Sequence, residues 1–227
     1  MTIHLRPSAP LAAEVLLPGD PARAMALAQL LLVRPKMHNL HRGLWGYSGE
    51  TQEGRPLSIQ STGMGAPSAA IVLHELAELG VRRAVRVGTC GALDDGLALG
   101  ELIRATSALP EDGVSRSLGA HGPVGADPGL LAGLERAGGG EPAPVVSTDL
   151  FYNDSGAPRA RWQRAGARAV EMETAALFVL GPRLGVAVGS LLVVSDLLAG
   201  GERRRITDEA LQSAVVGMGR AAAAALG

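Results

Sequence analysis

Apolar residues along this chain gather in short runs, most of them closed by glycine or proline. The run Ala84-Val85-Arg86-Val87, ending in Gly88-Thr89-Cys90-Gly91, predicts a buried strand that feeds a loop. Val15-Leu16-Leu17 predicts another, closed by Pro18-Gly19-Asp20-Pro21. Residues 22–32 then take helical spacing, with Asp20 at the N-cap and Pro21 in the first turn. Strands are predicted over 43–49 and 57–62 around a turn at 52–55, and a helix over 69–79. Further on come a strand over 100–107, a helix over 128–137 and short strands at 145–147 and 168–170. A helix over 174–184, a buried strand over 186–194 and a long helix over 206–226 complete the pattern. Residues 1–14 read as a loop or edge segment, 111–127 as a loop, and 138–144 as a turn. The alternation of strand and helix predicts an α/β fold with parallel pairing and right-handed crossovers. No repeat and no long linker divides the chain, so one domain over 1–227 is expected.

Composition narrows the picture. Of 227 residues 47% are hydrophobic but only 3% aromatic, so the core must be built from Ala, Val and Leu. A net charge of −1 gives no electrostatic case for nucleic acid or for an anionic membrane. Cys90 is the only cysteine, which excludes an internal disulfide and a cysteine metal cluster. It reads as a small packing residue against a ligand, with a reactive thiol as the alternative. With no signal-like start and no apolar run of membrane-span length, a cytoplasmic protein is expected.

Four places carry candidate chemistry. Arg86 interrupts a buried strand, where an unpaired cation is costly. Either the strand end opens into a crevice where the guanidinium meets an anion, or the arginine makes an edge ion pair. Gly88 and Gly91 would let backbone N–H groups approach such a ligand, and Thr89 adds a hydroxyl. Gly19 at a helix start, backed by Arg23, would suit a phosphate, although a plain turn also explains it. Glu171-Met172-Glu173 would suit a diol, or would be the acidic first turn of a helix. Ser195-Asp196 ends the most apolar strand; the aspartate is placed for acid–base work or for capping a helix. An anion site, a diol site and an acid together fit a sugar–phosphate reaction.

Seven stretches, LPGDPARA (17–24), HRGLWGYSG (41–49), STGMGAPSAAIVLHEL (61–76), RVGTCGAL (86–93), STDLFY (147–152), VEMETAAL (170–177) and VVSD (193–196), stand in the order seen in nucleoside phosphorylases. The chain most resembles the bacterial hexameric purine nucleoside phosphorylases, which share their fold with uridine phosphorylases. The resemblance implies a single domain with a mixed central β-sheet flanked by helices. It also implies phosphorolysis of purine nucleosides, with inorganic phosphate as co-substrate, no cofactor and no metal. Gly19, Arg23, Arg86 and Thr89 would bind phosphate, with Arg42 from a neighbouring subunit. Met64, Glu171, Met172 and Glu173 would hold the ribose, and His4 of the neighbour its 5′-hydroxyl. Phe151, Cys90, Gly91, Val170 and Ser195 would line the base pocket, and Asp196 would protonate or hydrogen-bond N7 of the purine.

Sites shared in this way imply a homo-oligomer, a hexamer built as a trimer of dimers. The chain departs from the family in one respect: its final helix carries no arginine at the usual distance beyond Asp196. Arg203, Arg204 and Arg205 stand nearer, either as a substitute or as a solvated basic cluster. Uridine phosphorylases usually carry a Gln-x-Arg pair after Phe-Tyr, and residues 153–159 contain no glutamine. A non-catalytic nucleoside-binding protein on the same fold is the other alternative.

Overall fold

A computed structural model describes residues 2–152, 156–198 and 203–227. In chain order its elements are β1 (Glu14–Leu17), α1 (Pro21–Leu31), β2 (Val33–Asn39), a 3-10 turn (His41–Gly43), β3 (Gly46–Glu50), β4 (Pro56–Gln60) and α2 (Ala66–Glu78). Then follow β5 (Arg83–Ala92), β6 (Leu102–Glu111), α3 (Gly113–Ser117), β7 (Val124–Gly125), α4 (Pro128–Arg136), β8 (Glu141–Thr148) and α5 (Gly156–Arg164). The last are β9 (Ala169–Glu171), α6 (Thr174–Leu184), β10 (Ala187–Leu197), β11 (Arg204–Arg205) and α7 (Asp208–Leu226). The strands form one mixed sheet of 11 strands.

β5 is its axis. One edge of β5 pairs in parallel with β10 along the whole strand, from Arg83 opposite Ala187 to Ala92 opposite Leu197. The other edge is shared. β1 takes Arg83 to Arg86 in parallel, and β9 takes Gly91 and Ala92 antiparallel. Between them, residues 87–90 have no strand partner on that edge. A parallel sheet that parts in this way leaves a crevice at the carboxyl ends of its strands. From β10 the sheet continues through β6 (antiparallel) and β8 (parallel) to β9, which closes a ring back onto β5. The β1–β4–β3–β2 wing extends from the other side.

Both faces of the sheet are covered, so its inner strands are apolar on both sides. Along β10, Leu192 and Val194 pack on the side of α2 and α6, with Val72, Leu76 and Phe178. Leu191 and Val193 face α1, α4 and α7, with Leu27, Leu134 and Met218. With few aromatics, the fit comes from close approach. A Cβ on Gly219 would collide with Leu27, and one on Gly133 would lie 2.9 Å from the Ala225 carbonyl oxygen.

The predicted elements are present, with three revisions. Gly88-Thr89-Cys90-Gly91 is extended strand, because β10 pairs with it throughout. Within 43–49 the strand begins only at Gly46, after a turn in which Arg42 and Gly43 take positive φ of 59° and 71°. β2, α5 and β11 are additional, and parts of 111–127 and 138–144 form α3, β7 and the start of β8.

Candidate active site

The crevice holds a cavity of about 490 Å3. Of the residues singled out from the sequence, its lining brings together Gly19, Arg23, Met64, Arg86, Thr89, Cys90, Gly91, Phe151, Val170, Glu171, Met172, Glu173, Ser195 and Asp196. Two do not line it. His4 and Arg42 lie elsewhere on the same chain; Arg42 is exposed, and the His4 imidazole Nδ1 is 2.8 Å from Glu75.

Arg86 answers the puzzle of a cation in a buried strand. Its Nε donates to Glu171 Oε2 at 3.0 Å, and its Nη2 stands 2.6 Å from Glu173 Oε2. Burial acts to lower its pKa, but the Glu173 and Glu171 charges more than offset this and raise it. The guanidinium folds back over Gly88, two residues along the same face of the strand; a Cβ there would lie 2.7 Å from its Cζ.

The two acids divide their work. Glu171 accepts from Ser147 Oγ, from the Glu173 N–H at 2.9 Å and from the Thr174 N–H at 2.9 and 3.1 Å. Its carboxylate thus caps the start of α6 as well as holding Arg86. Glu173 accepts the Gly65 N–H at 2.6 Å and otherwise meets Arg86, facing the cavity. Burial raises the pKa of Glu173 and the nearby Glu171 charge adds to this, against the opposing pull of Arg86.

Arg23 stands at the start of α1, which Asp20 caps by accepting the Ala22 N–H at 2.9 Å. Its guanidinium donates to the Val87 carbonyl at 3.5 Å, on the open edge of β5. Burial lowers its pKa and Arg86 lowers it further, while Asp20 and Glu173 oppose. Two guanidiniums that raise each other's cost make a site that an anion would relieve.

A β-bulge sets the other wall. Val194 pairs with Cys90 but Asp196 with Gly91, so Ser195 is the extra residue. Such bulges re-aim the side chains beside them. Asp196 is 4% exposed; its Oδ2 accepts from Ser195 Oγ at 2.7 Å and its Oδ1 from Arg203 Nε at 2.8 Å. Arg205, opposite Asp196 in β11, is 3.5 Å away, whereas Arg204 lies opposite Leu197. Arg203 also covers the Phe151 ring at 4.6 Å. Of the three arginines, Arg203 therefore pairs directly with Asp196, with Arg205 behind it.

The Cys90 thiol is buried and donates weakly to the Val193 carbonyl at 3.7 Å. Burial pushes its pKa up, aided by Glu171 and Asp196 against Arg86, which suits packing and not nucleophilic attack. Lining residues that sequence reasoning missed include Gly63, Arg159, Trp162 and Leu198. Arg159 and Trp162 sit on α5, whose charged sequence has no apolar stripe to announce it. Residues 153–155, which bear on the missing glutamine, lie outside the described residues. Among the described residues, no group of three or more His, Cys, Asp or Glu is placed to hold a metal, and no helix is long and apolar enough to cross a membrane.

The mixed sheet thus opens on a crevice that joins paired arginines, a buried carboxylate pair and a strand-end aspartate. The family model of the phosphorylase superfamily matches residues 15–226, and the chain belongs to that superfamily. Within it, the chain is 36% identical to a DeoD-type purine nucleoside phosphorylase of Alkaliphilus metalliredigens, over 96% of each chain. It is 38% identical to one from Geobacillus kaustophilus over 89% of each, and 37% to one from Caldanaerobacter subterraneus over 89% of this chain and 90% of the other.

Proposed function

We propose that this protein catalyses the reversible phosphorolysis of purine ribo- or deoxyribonucleosides, giving the free base and the pentose 1-phosphate. The observation that carries the reading is the cavity itself, where Arg23 and Arg86, Glu173, and the Asp196–Arg203 pair line one space. Phosphate is held by Arg23, Gly19, Thr89 and the remaining N–H groups of Arg86, with Arg42 reaching in from a neighbouring subunit. Glu173 accepts hydrogen bonds from the 2′- and 3′-hydroxyls, beside Met64 and Met172. The base lies against Phe151, Cys90, Gly91 and Val170.

A phosphate oxygen forms its bond to C1′ as the bond from C1′ to N9 breaks, and the electron pair passes into the purine. Asp196 protonates or hydrogen-bonds N7, which relieves the charge on the leaving base. Arg203 and Ser195 then stabilise the carboxylate that remains. Inorganic phosphate is the co-substrate and no cofactor is required. The protein acts in the cytoplasm as a homo-oligomer, a hexamer of paired subunits that share their sites.

The test is base release from inosine, adenosine and uridine, with and without inorganic phosphate. Phosphate-dependent release from the purine nucleosides alone is expected, with kcat falling at least about a hundredfold in Asp196→Ala. Uridine cleavage would assign a pyrimidine enzyme, phosphate-independent release a hydrolase, and no release a binding protein.

A further inference from the structure

Glu75 lies on α2, does not line the cavity, and has no part in the reaction just described. Yet it is a buried acid with an unusually full set of partners. Its carboxylate accepts the backbone N–H groups of Ile3 at 3.0 Å, His4 at 3.0 Å to each oxygen and Leu5 at 2.6 Å. The His4 ring adds Nδ1 at 2.8 Å. Burial pushes the Glu75 carboxyl up, but these bonds more than reverse it and hold it at about 2. The flanks of this segment are pinned as well. His41 Nδ1 donates to the His4 carbonyl at 3.2 Å, and Asn39 Oδ1 accepts the Arg6 N–H at 2.9 Å.

A carboxylate can only accept, so Nδ1 of the His4 ring carries the hydrogen. In the neutral ring that leaves Nε2 with its lone pair, an acceptor for a hydroxyl. The His4 side chain remains 27% exposed although its backbone is anchored. Since His4 does not line its own chain's cavity, any nucleoside it touches belongs to another subunit.

We propose that Glu75 is a positioning residue. It fixes residues 3–5 against α2 and sets the His4 tautomer, so that Nε2 accepts a hydrogen bond from the 5′-hydroxyl of a nucleoside in the neighbouring site. The inference rests on reading His4 as that neighbour's ribose contact.

The experiment compares kcat/KM for inosine and 5′-deoxyinosine on the purified oligomer, with the KM for phosphate measured alongside. Wild type favours inosine by about tenfold, the worth of one well-made hydrogen bond. In Glu75→Gln that preference collapses to the value seen in His4→Ala, while the phosphate KM and the mass by light scattering stay as they were. Should Glu75→Gln fail to fold, Glu75→Asp serves. It keeps a carboxylate for the amides, draws it back from the imidazole by one methylene, and lowers the same ratio. A wild-type preference for the 5′-hydroxyl retained in either soluble variant overturns the proposal. Wild-type phosphorolysis without that preference removes the role of His4, and this inference with it, but leaves the reaction standing. Absence of phosphorolysis in wild type removes the reaction itself.

Discussion

Arg86 and Arg23 sit in one cavity but carry different burdens. Arg86 neutralises two buried carboxylates, so Arg86→Ala leaves both unpaired and costs roughly 3–5 kcal/mol of stability. Arg23 makes no ion pair among the described residues, and Arg23→Ala is expected to fold normally and raise the KM for phosphate about tenfold or more. Thermal melts with phosphate titrations separate the two; a phosphate KM unchanged in Arg23→Ala would remove it from the anion site. Glu173 supplies a second prediction. Its folded pKa is raised, so the folded state favours its acid form, and that contribution is lost as pH climbs through the raised value. The ionised form is the one that accepts from ribose hydroxyls. The acidic limb of the kcat/KM profile therefore lies above the ordinary carboxylate range, and Glu173→Gln abolishes that limb while lowering the rate. That Arg86 required an anion was legible from its place in an apolar run. That the anions are Glu171 and Glu173 was not, because they lie 85 or more positions away and only the fold brings them there. Three consecutive arginines likewise read either as a partner for Asp196 or as a solvated cluster, since loop spacing does not determine side-chain reach.

At the scale of elements, glycine misled the reading of β5. Gly88-Thr89-Cys90-Gly91 has the composition of a loop, but β10 pairs with all four residues. The glycines serve close approach here: Gly88 gives way to the Arg86 guanidinium, and a Cβ on Gly91 would stand 2.6 Å from Leu198. Gly88→Ala is thus expected to displace Arg86 and cost about 1–3 kcal/mol, or roughly 2–12 °C in Tm for a chain of this length. A loop would accept alanine, so an unchanged melting temperature would show that the packing over Gly88 is not as described. β2 escaped notice for a related reason. It lies at the edge of the sheet, paired only with β3, and carries Arg34, Pro35 and Lys36, residues suited to an edge but not to a strand pattern. α1, α2 and α4 were legible because prolines at their starts coincide with apolar spacing, and α6 because its apolar run is long enough for a helix.

For the whole molecule, the closing of β5, β10, β6, β8 and β9 into a ring could not be read from any local pattern, since each pairing joins distant residues. What the chain leaves outside that ring is as informative. Met64 is 85% exposed and Phe151 50% exposed at the cavity, while Leu40 beside Arg42 is 61% exposed. These are groups that a subunit contact would cover if the protein assembles as proposed. If Arg42 completes the phosphate site of another subunit, activity is a property of the pair, and it can be rebuilt from two damaged chains. Arg42→Ala and Asp196→Ala should each be nearly inactive as homo-oligomers. Co-expressed, a chain with Arg42→Ala keeps its own Asp196 and receives an intact Arg42 from its neighbour. In a two-fold pair, half the random dimers are mixed and one site in each is complete, so roughly a quarter of wild-type activity returns. The restored activity should follow the mixed species on separation by charge and vanish when the oligomer is diluted to monomers. Co-expressed chains no more active than the sum of the two parents would place every essential residue within one subunit.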